Sequence, residues 1–275
     1  MQRVPLLFLA FVSVLFSSCG KDLFFANGPI VEEDRQIEGI FQVIELYDNV
    51  NVNLLQRTEE MVPNQTHIHL RASENLLPKI TAEIHGDTLT IRNKNNLNWL
   101  RPYDFTLDMT VYYDSIREIS FLSNGKLTTD NLRGCVLPEV DTLSHLYLYI
   151  EGGSGDIQLL THCRRLHTTY DFGTATVTLK GDARIAYTSS SYNCHGPIDA
   201  SALETNIHYI YAYGTNDIKA KAYYEINATN QNNGSVYYVT YTEEYWNNST
   251  GHFQTVHCPQ LVNANGHNIY PLDTD

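Results

Sequence analysis

The chain has 275 residues, with 18 Lys and Arg against 31 Asp and Glu, for a formal charge of −13. So acidic a balance argues against nucleic acid and anionic lipid headgroups as charge-driven partners. Charged residues make up only 18% while tyrosines number 19, and the length allows a large core, so strands and turns are expected rather than helices.

The chain opens with Arg3, an apolar run from Val4 to Phe16, the small residues Ser17 and Ser18, and then Cys19. The apolar run falls short of the ~20 residues of a membrane span and has the order of a secretory signal peptide. A cysteine directly after small residues is what a lipoprotein signal peptidase needs. Residues 1–18 are therefore expected to be removed and Cys19 to be acylated. Acyl chains contribute ~0.8 kcal/mol per buried methylene, enough together to hold the protein on a leaflet. The expected location is the outer membrane, facing the periplasm or the cell surface. Residues 19–35, broken by Asn27-Gly28-Pro29 and holding the acidic run Glu32-Glu33-Asp34, read as a tether. Residues 36–275 read as the folded domain.

Period-2 alternation starts at Ile40-Phe41 and continues through Val50-Asn51-Val52-Asn53-Leu54 and His67-Ile68-His69-Leu70. Such alternation means strands with one buried face. Glu74 to Pro78 reads as a turn. Strands follow at Ile80 to Ile84 and Leu89 to Ile91, joined by Gly86-Asp87, and at Leu107 to Val111 and Ile116 to Phe121. Asn93 to Pro102 reads as a polar loop holding Trp99.

The second half repeats. Small-residue turns at Gly153-Ser154-Gly155, Phe172-Gly173-Thr174, His195-Gly196-Pro197, Gly214-Thr215-Asn216 and Asn233-Gly234-Ser235 precede Ile157, Val177, Ile198, Ile218 and Val236. The branched residues are spaced by 20, 21, 20 and 18, and Ser123-Asn124-Gly125-Lys126-Leu127 looks like an earlier copy. An insertion around Cys135 to Leu143 separates it from the rest. This period predicts an all-β, right-handed β-solenoid or β-helix-like stack with coils of about twenty residues. The N-terminal strands would form its cap or first coils. Inward branched residues would stack as ladders, with glycine where the coil turns at positive φ.

These residues resemble the putative auto-transporter adhesin, head GIN domain family, exported proteins or lipoproteins of Bacteroidetes. The resemblance rests on Glu33-Asp34-Arg35 with Ile40-Phe41, on Val50 to Leu55, and on Glu74-Asn75-Leu76-Leu77. Ile80 to Ile91, the serial turns, and the closing Gly234-Ser235-Val236-Tyr237-Tyr238 complete it. It covers Glu33 to the C-terminus. The chain departs from the pattern in turns poorer in Gly and Ser, at Asp171-Phe172-Gly173 and His195-Gly196-Pro197. It departs also in an insertion at about 240–257. The resemblance implies a β-helix or β-roll fold and adhesion, and it supplies no catalytic residues.

No nucleophile-elbow, zincin, P-loop or dinucleotide motif occurs, and no cofactor or metal is expected. Asp156 and Asp217 share a turn position three coils apart, ~14 Å at the ~4.8 Å spacing of strands. They and Asp199 read as turn aspartates bonding backbone. His67 and His69 read as a solvated pair opposite Ile68 and Leu70, and His252, His257 and Cys258 as part of a plain loop. Cys135, Cys163, Cys194 and Cys258 allow three pairings, none of which the sequence selects. Tyr209, Tyr211 and Tyr213 alternate along one strand, with Tyr237, Tyr241 and Trp246 further on. Alignment of the turns sets Tyr211 beside Ile150 and points it inward. Local hydrophobicity instead buries Ile210 and Ala212 and points the tyrosines outward. Outward, they make an aromatic surface for glycan or protein ligands. The function read is thus a non-catalytic binding or adhesion module of the envelope. The alternatives are a structural envelope protein assembling through its own coils, or a carbohydrate-active enzyme with clustered acids and a base such as Lys180 or Arg184.

Overall fold

The structure, a computed structural model, describes residues 28–58, 61, 64–95, 107–133, 135–136 and 144–273. The signal segment, Cys19, Trp99 and the side chains of Cys135 and Trp246 lie outside the described residues. The fold is all-β. One 3-10 turn, Leu77–Lys79, is the only helical segment among the described residues, and none is long and apolar enough to cross a membrane.

The strands in chain order are β1 (Ile30–Glu38), β2 (Val43–Asp48), β3 (Asn51–Gln56), β4 (Gln65–Ser73), β5 (Ile80–His85), β6 (Thr88–Asn93) and β7 (Leu107–Tyr113). Then come β8 (Glu118–Ser123), β9 (Leu127–Arg133), β10 (Cys135–Val136), β11 (Ser144–Gly152), β12 (Asp156–Gly173), β13 (Thr176–Cys194) and β14 (Ile198–Ala212). The chain closes with β15 (Ile218–Ala220), β16 (Glu225–Asn230), β17 (Val236–Asn247), β18 (His252–Cys258), β19 (Leu261–Gly266) and β20 (Ile269–Asp273). Hydrogen bonding joins them into a sheet that wraps nearly closed around one core.

Two parallel stacks enclose that core. In one, Leu89, Ile44, Ile119, Leu148, Thr168, Thr188, Ile210, Ala228 and Ala264 are successive partners. In the other, Met109, Val52, Leu127, Ile157, Val177, Ile198, Ile218, Val236 and Ile269 are. From Val52 to Val236 every member of the second column is at most 2% exposed. Burying each such side chain stabilises the fold by about 1.5–3 kcal/mol relative to exposure. The five branched residues singled out by spacing, and Leu127, therefore occupy one ladder.

The period of twenty does not extend over the whole stack. It holds from His145 to Val236, because there the chain crosses both faces without detours. Insertions break it elsewhere, so Val52 pairs with Leu127, and Val236 with Ile269. Order along the axis also departs from chain order, since β6 and β7 lie beneath β2 and β3 although they follow them in sequence. The N-terminal strands take two roles in the sheet. β2 and β3 are a full rung, while the antiparallel pairs β5–β6, β4–β7 and β1–β4 close that end.

The tether reading fails for Ile30 to Arg35, which lie in β1. Arg35 explains why. Its guanidinium pairs with Glu33 at 2.8 Å and donates to the carbonyls of Ile80 (2.7 Å) and Leu77 (3.1 Å), fastening the strand to the cap.

Turn glycines are required for two reasons, and positive φ is only one. Gly153 has φ +98°, as expected. Gly155 does not need a left-handed backbone, yet a Cβ there would sit 1.8 Å from the Gly125 carbonyl of the rung below. Close approach of stacked turns, rather than φ, selects that glycine.

The insertion at 240–257 forms the antiparallel hairpin β17–β18, after which the chain returns to lay down β19 and β20. His252 to Thr255 of that hairpin are exposed. β19 pairs with β16 and β20 with β17, and each leaves its other edge unpaired among the described strands.

Candidate ligand-binding face

Register decides which way the tyrosines point. A shift between Tyr170 and Phe172 displaces the turn without displacing the strand, so Tyr170 pairs with Ser190, and Ser190 with Ala212. Ile150, Tyr170, Ser190 and Ala212 form the inward column. Tyr211 instead partners Ser189 and is 41% exposed, while Tyr209 and Tyr213 are half-buried on the same outer side. The turn alignment was thus one residue out, and the reading from local hydrophobicity holds.

The outer column through Tyr209 holds a feature missed in the sequence. Tyr147, His167, Tyr187 and Tyr209 occupy successive rungs, and their rings stack at centroid distances of 4.7, 4.6 and 5.0 Å, within 17° of parallel. Parallel in-register pairing causes this, because identical side-chain directions recur at the strand spacing. The signal was present as aromatic residues at intervals of 20, 20 and 22. Burial, then the charges of His145 and Arg165, lower the His167 pKa. The His167 ring is therefore uncharged at neutral pH.

The ladder stops at Tyr209. The next two rungs carry Asn227 and Asn263 in that column, and Thr229 and Asn265 beside them. Short side chains following large rings leave a groove of about 520 Å³, walled by Tyr209 and Tyr211 on one side and the asparagines on the other. The outer ring face of Tyr209, backed by three stacked rings, looks into it. Asn263 Nδ2 donates to Asn227 Oδ1 at 2.8 Å and to Glu225 Oε1 at 2.9 Å, which fixes the amide carbonyls and leaves them polar edges in the groove. Burial, with Glu225 and neighbouring tyrosines, raises the Tyr209 pKa, so its hydroxyl stays protonated. The arrangement offers aromatic faces beside fixed amides and hydroxyls.

The other tyrosines named from the sequence do not join this groove. Tyr213 packs against Tyr192 at 5.9 Å. Tyr237 lies on the opposite stack against Tyr270, also at 5.9 Å. Tyr241 lines a third region with Cys163, Arg164, Asp182, Arg184, Glu204 and Glu243, under the Lys221 ammonium at 4.5 Å. Burial, above all, and then Cys258 raise its pKa.

That third region, of about 580 Å³, holds the acids nearest to a cluster. Asp182 and Glu204 are direct cross-strand partners, which the sequence reading overlooked in favour of Asp156 and Asp217. Both are already engaged, Asp182 by His162 and Glu204 by Lys221 at 2.6 Å. Asp217 and Asp199 bond backbone, at Ser235 N and Ser201 N respectively, each at 3.0 Å. His67 and His69 lie on the face opposite Ile68 and Leu70 but are half-buried rather than a solvated pair, because β1 pairs alongside β4; His67 Nε2 is buried and His69 holds Asp34 at 2.8 Å. Among the described residues no three His, Cys, Asp or Glu converge as a metal site. Cys163, Cys194 and Cys258 are buried free thiols.

The model of the family described as putative auto-transporter adhesin, head GIN domain, matches residues 40–240. The chain belongs to this family. Solved structures of similar fold include a putative adhesin from Bacteroides fragilis, with 19% identity and a TM-score of 0.67 over 89% of this chain and 96% of that one. A putative lipid binding protein from Parabacteroides distasonis has 15% identity and a TM-score of 0.52, over 88% and 96%. A putative adhesin from Parabacteroides merdae has 16% identity and a TM-score of 0.50, over 90% and 98%. At these identities the likeness concerns the fold. No curated protein matches the chain.

Proposed function

We propose that this head GIN protein is an exported lipoprotein, acylated at Cys19 and held at the outer membrane, that binds glycan chains without turning them over. The carrying observation is the groove where the aromatic ladder ends. A sugar has apolar faces of C–H groups and a rim of hydroxyls. The rings of Tyr209 and Tyr211 suit the first, and the amides of Asn227, Asn263 and Asn265 suit the second. The stacked rings beneath Tyr209 hold its face in place before any ligand arrives, which lowers the ordering cost of binding. The adhesin description of the family and of two of the similar structures is consistent with such a role. We read the stacked rungs as a right-handed β-solenoid, the hand in which right-twisted parallel strands connect best. Its rigidity suits a scaffold that presents a binding face away from the membrane.

The test is a glycan and mucin array with the full chain in detergent, beside Tyr209→Ala/Tyr211→Ala. Saturable binding that the double variant loses, with its circular dichroism unchanged, supports the reading. Binding that survives the double variant, or no binding to any polymer, removes it.

The unpaired edges of β19 and β20 favour a second reading, in which copies of the chain assemble end to end. Sedimentation velocity over a hundredfold range of concentration decides it, since a monomer throughout leaves no room for assembly.

A further inference from the structure

Beside the aromatic ladder runs a second groove, of about 440 Å³, lined by Arg164, Arg165, Arg184, Asn206, Tyr223 and Tyr224 with Ile185 and Ile207. Its position follows from the strands. Arg165, Ile185 and Ile207 each lie two residues before His167, Tyr187 and Tyr209 on the same strands, ~6.6 Å away along an extended chain. The groove and the ladder therefore share one face of the molecule.

Its charge is unusual for this chain. Arg164 and Arg184 occupy the same corner of adjacent rungs, one strand spacing apart, and both are exposed. Like charges set directly across a strand pair repel and destabilise. A chain with 31 acidic residues against 18 basic ones has ample carboxylates to neutralise them. It does not do so, since neither Arg164 nor Arg184 forms an ion pair among the described residues. Asp182 and Glu204 border the adjoining groove with both arginines, but Asp182 bonds His162 and Glu204 pairs with Lys221 at 2.6 Å. Glu243 lines the adjoining groove with Tyr241, which Arg164 and Arg184 also border, but it forms no ion pair with either of them among the described residues. The next rung presents Asn206, a neutral hydrogen-bonding group, where a third charge would stand.

Resting on the glycan reading above, we propose that this groove selects acidic glycans, with Arg164 and Arg184 holding a sulfate ester or uronate carboxylate of a chain whose sugar stacks on Tyr209. A guanidinium presents a planar fork of donors that matches either anion in two parallel hydrogen bonds. Tyr223 and Tyr224 supply an apolar floor that strengthens this charge recognition by excluding water. The anion compensates the repulsion between the stacked arginines, so binding is expected to favour the charged chain over its neutral counterpart.

The experiment measures affinity of the full chain for three oligosaccharides of equal length, a neutral dextran, its sulfated form and an oligogalacturonate, across rising sodium chloride. The wild type is expected to bind a charged chain at least tenfold more tightly than dextran, with the preference falling as salt rises. Arg164→Ser/Arg184→Ser is expected to erase the preference and leave dextran binding unchanged. Arg164→Lys/Arg184→Lys is expected to restore part of it. A serine variant that keeps the preference, or a wild type that shows none, overturns the proposal. The glycan reading fails separately, when Tyr209→Ala/Tyr211→Ala leaves every affinity unchanged. Both substituted arginines are exposed, and unfolding midpoints confirm that the variants keep the fold.

Discussion

The rings of Tyr187 and Tyr209 stack with centroids 5.0 Å apart and planes 11° from parallel, although the residues belong to successive rungs. The contact exists because both strands run in the same direction with the same outward face. A pair of this kind contributes about 0.5–1.5 kcal/mol beyond the area it buries. A double-mutant cycle with Tyr187→Ala and Tyr209→Ala should show a coupling energy of that size in denaturant unfolding. Additive losses would mean that the rings do not stack in solution.

Ile198 sits in the middle of the inward column, 1% exposed, between Val177 and Ile218. Truncation leaves a cavity that rigid rungs above and below cannot close. Ile198→Ala should cost about 2–5 kcal/mol in chemical unfolding. A cost below about 1 kcal/mol would contradict the packed column.

Gly181 has φ +95°, and a Cβ there would meet the Thr161 carbonyl oxygen at 2.1 Å. The obstruction is backbone of the neighbouring rung, which cannot swing away. Gly181→Ala should lose at least about 2 kcal/mol. Gly152, with nothing within 4 Å of the same atom, is the control, and Gly152→Ala should stay within about 0.5 kcal/mol of wild type. Equal losses at both sites would sink the close-approach argument.

His208 points into the core, fully buried, with Nε2 2.9 Å from the Thr188 hydroxyl. Burial lowers its pKa from 6.5 to about 4. The unfolded chain therefore binds a proton between these values that the folded chain does not. Stability should fall as pH drops from about 6.5 towards 4, at up to about 1.4 kcal/mol per pH unit from this group alone. His208→Gln should flatten that part of the stability curve measured by urea unfolding. An unchanged slope would show that other groups dominate the acid limb.

The inward ladder was legible because glycine turns and branched residues repeat together in Ile157, Val177, Ile198, Ile218 and Val236. The rung of Val52 and that of Ile269 were not, since insertions of different lengths erase the period while the register persists. Tyr209 and Tyr211 were visible as candidates, yet their direction was not, because one irregularity at Tyr170 to Phe172 shifts turns against strands. The aromatic ladder is concealed in the sequence because His167 interrupts the tyrosines and its members lie 20, 20 and 22 residues apart. The groove depends on absence, on Asn227 and Asn263 being short, which composition does not register. Arg35 joins β1 to the cap through carbonyls of Leu77 and Ile80, a link that no local pattern announces.

The face comparison tests the account most directly. Affinity for the tightest glycan on the array would be measured for wild type, for Tyr209→Ala/Tyr211→Ala, and for Tyr237→Ala/Tyr270→Ala on the opposite stack. The account predicts a loss of at least about tenfold, some 1.4 kcal/mol, for the first pair and none for the second. Loss in the second pair with binding intact in the first would place the ligand on the wrong face and contradict it.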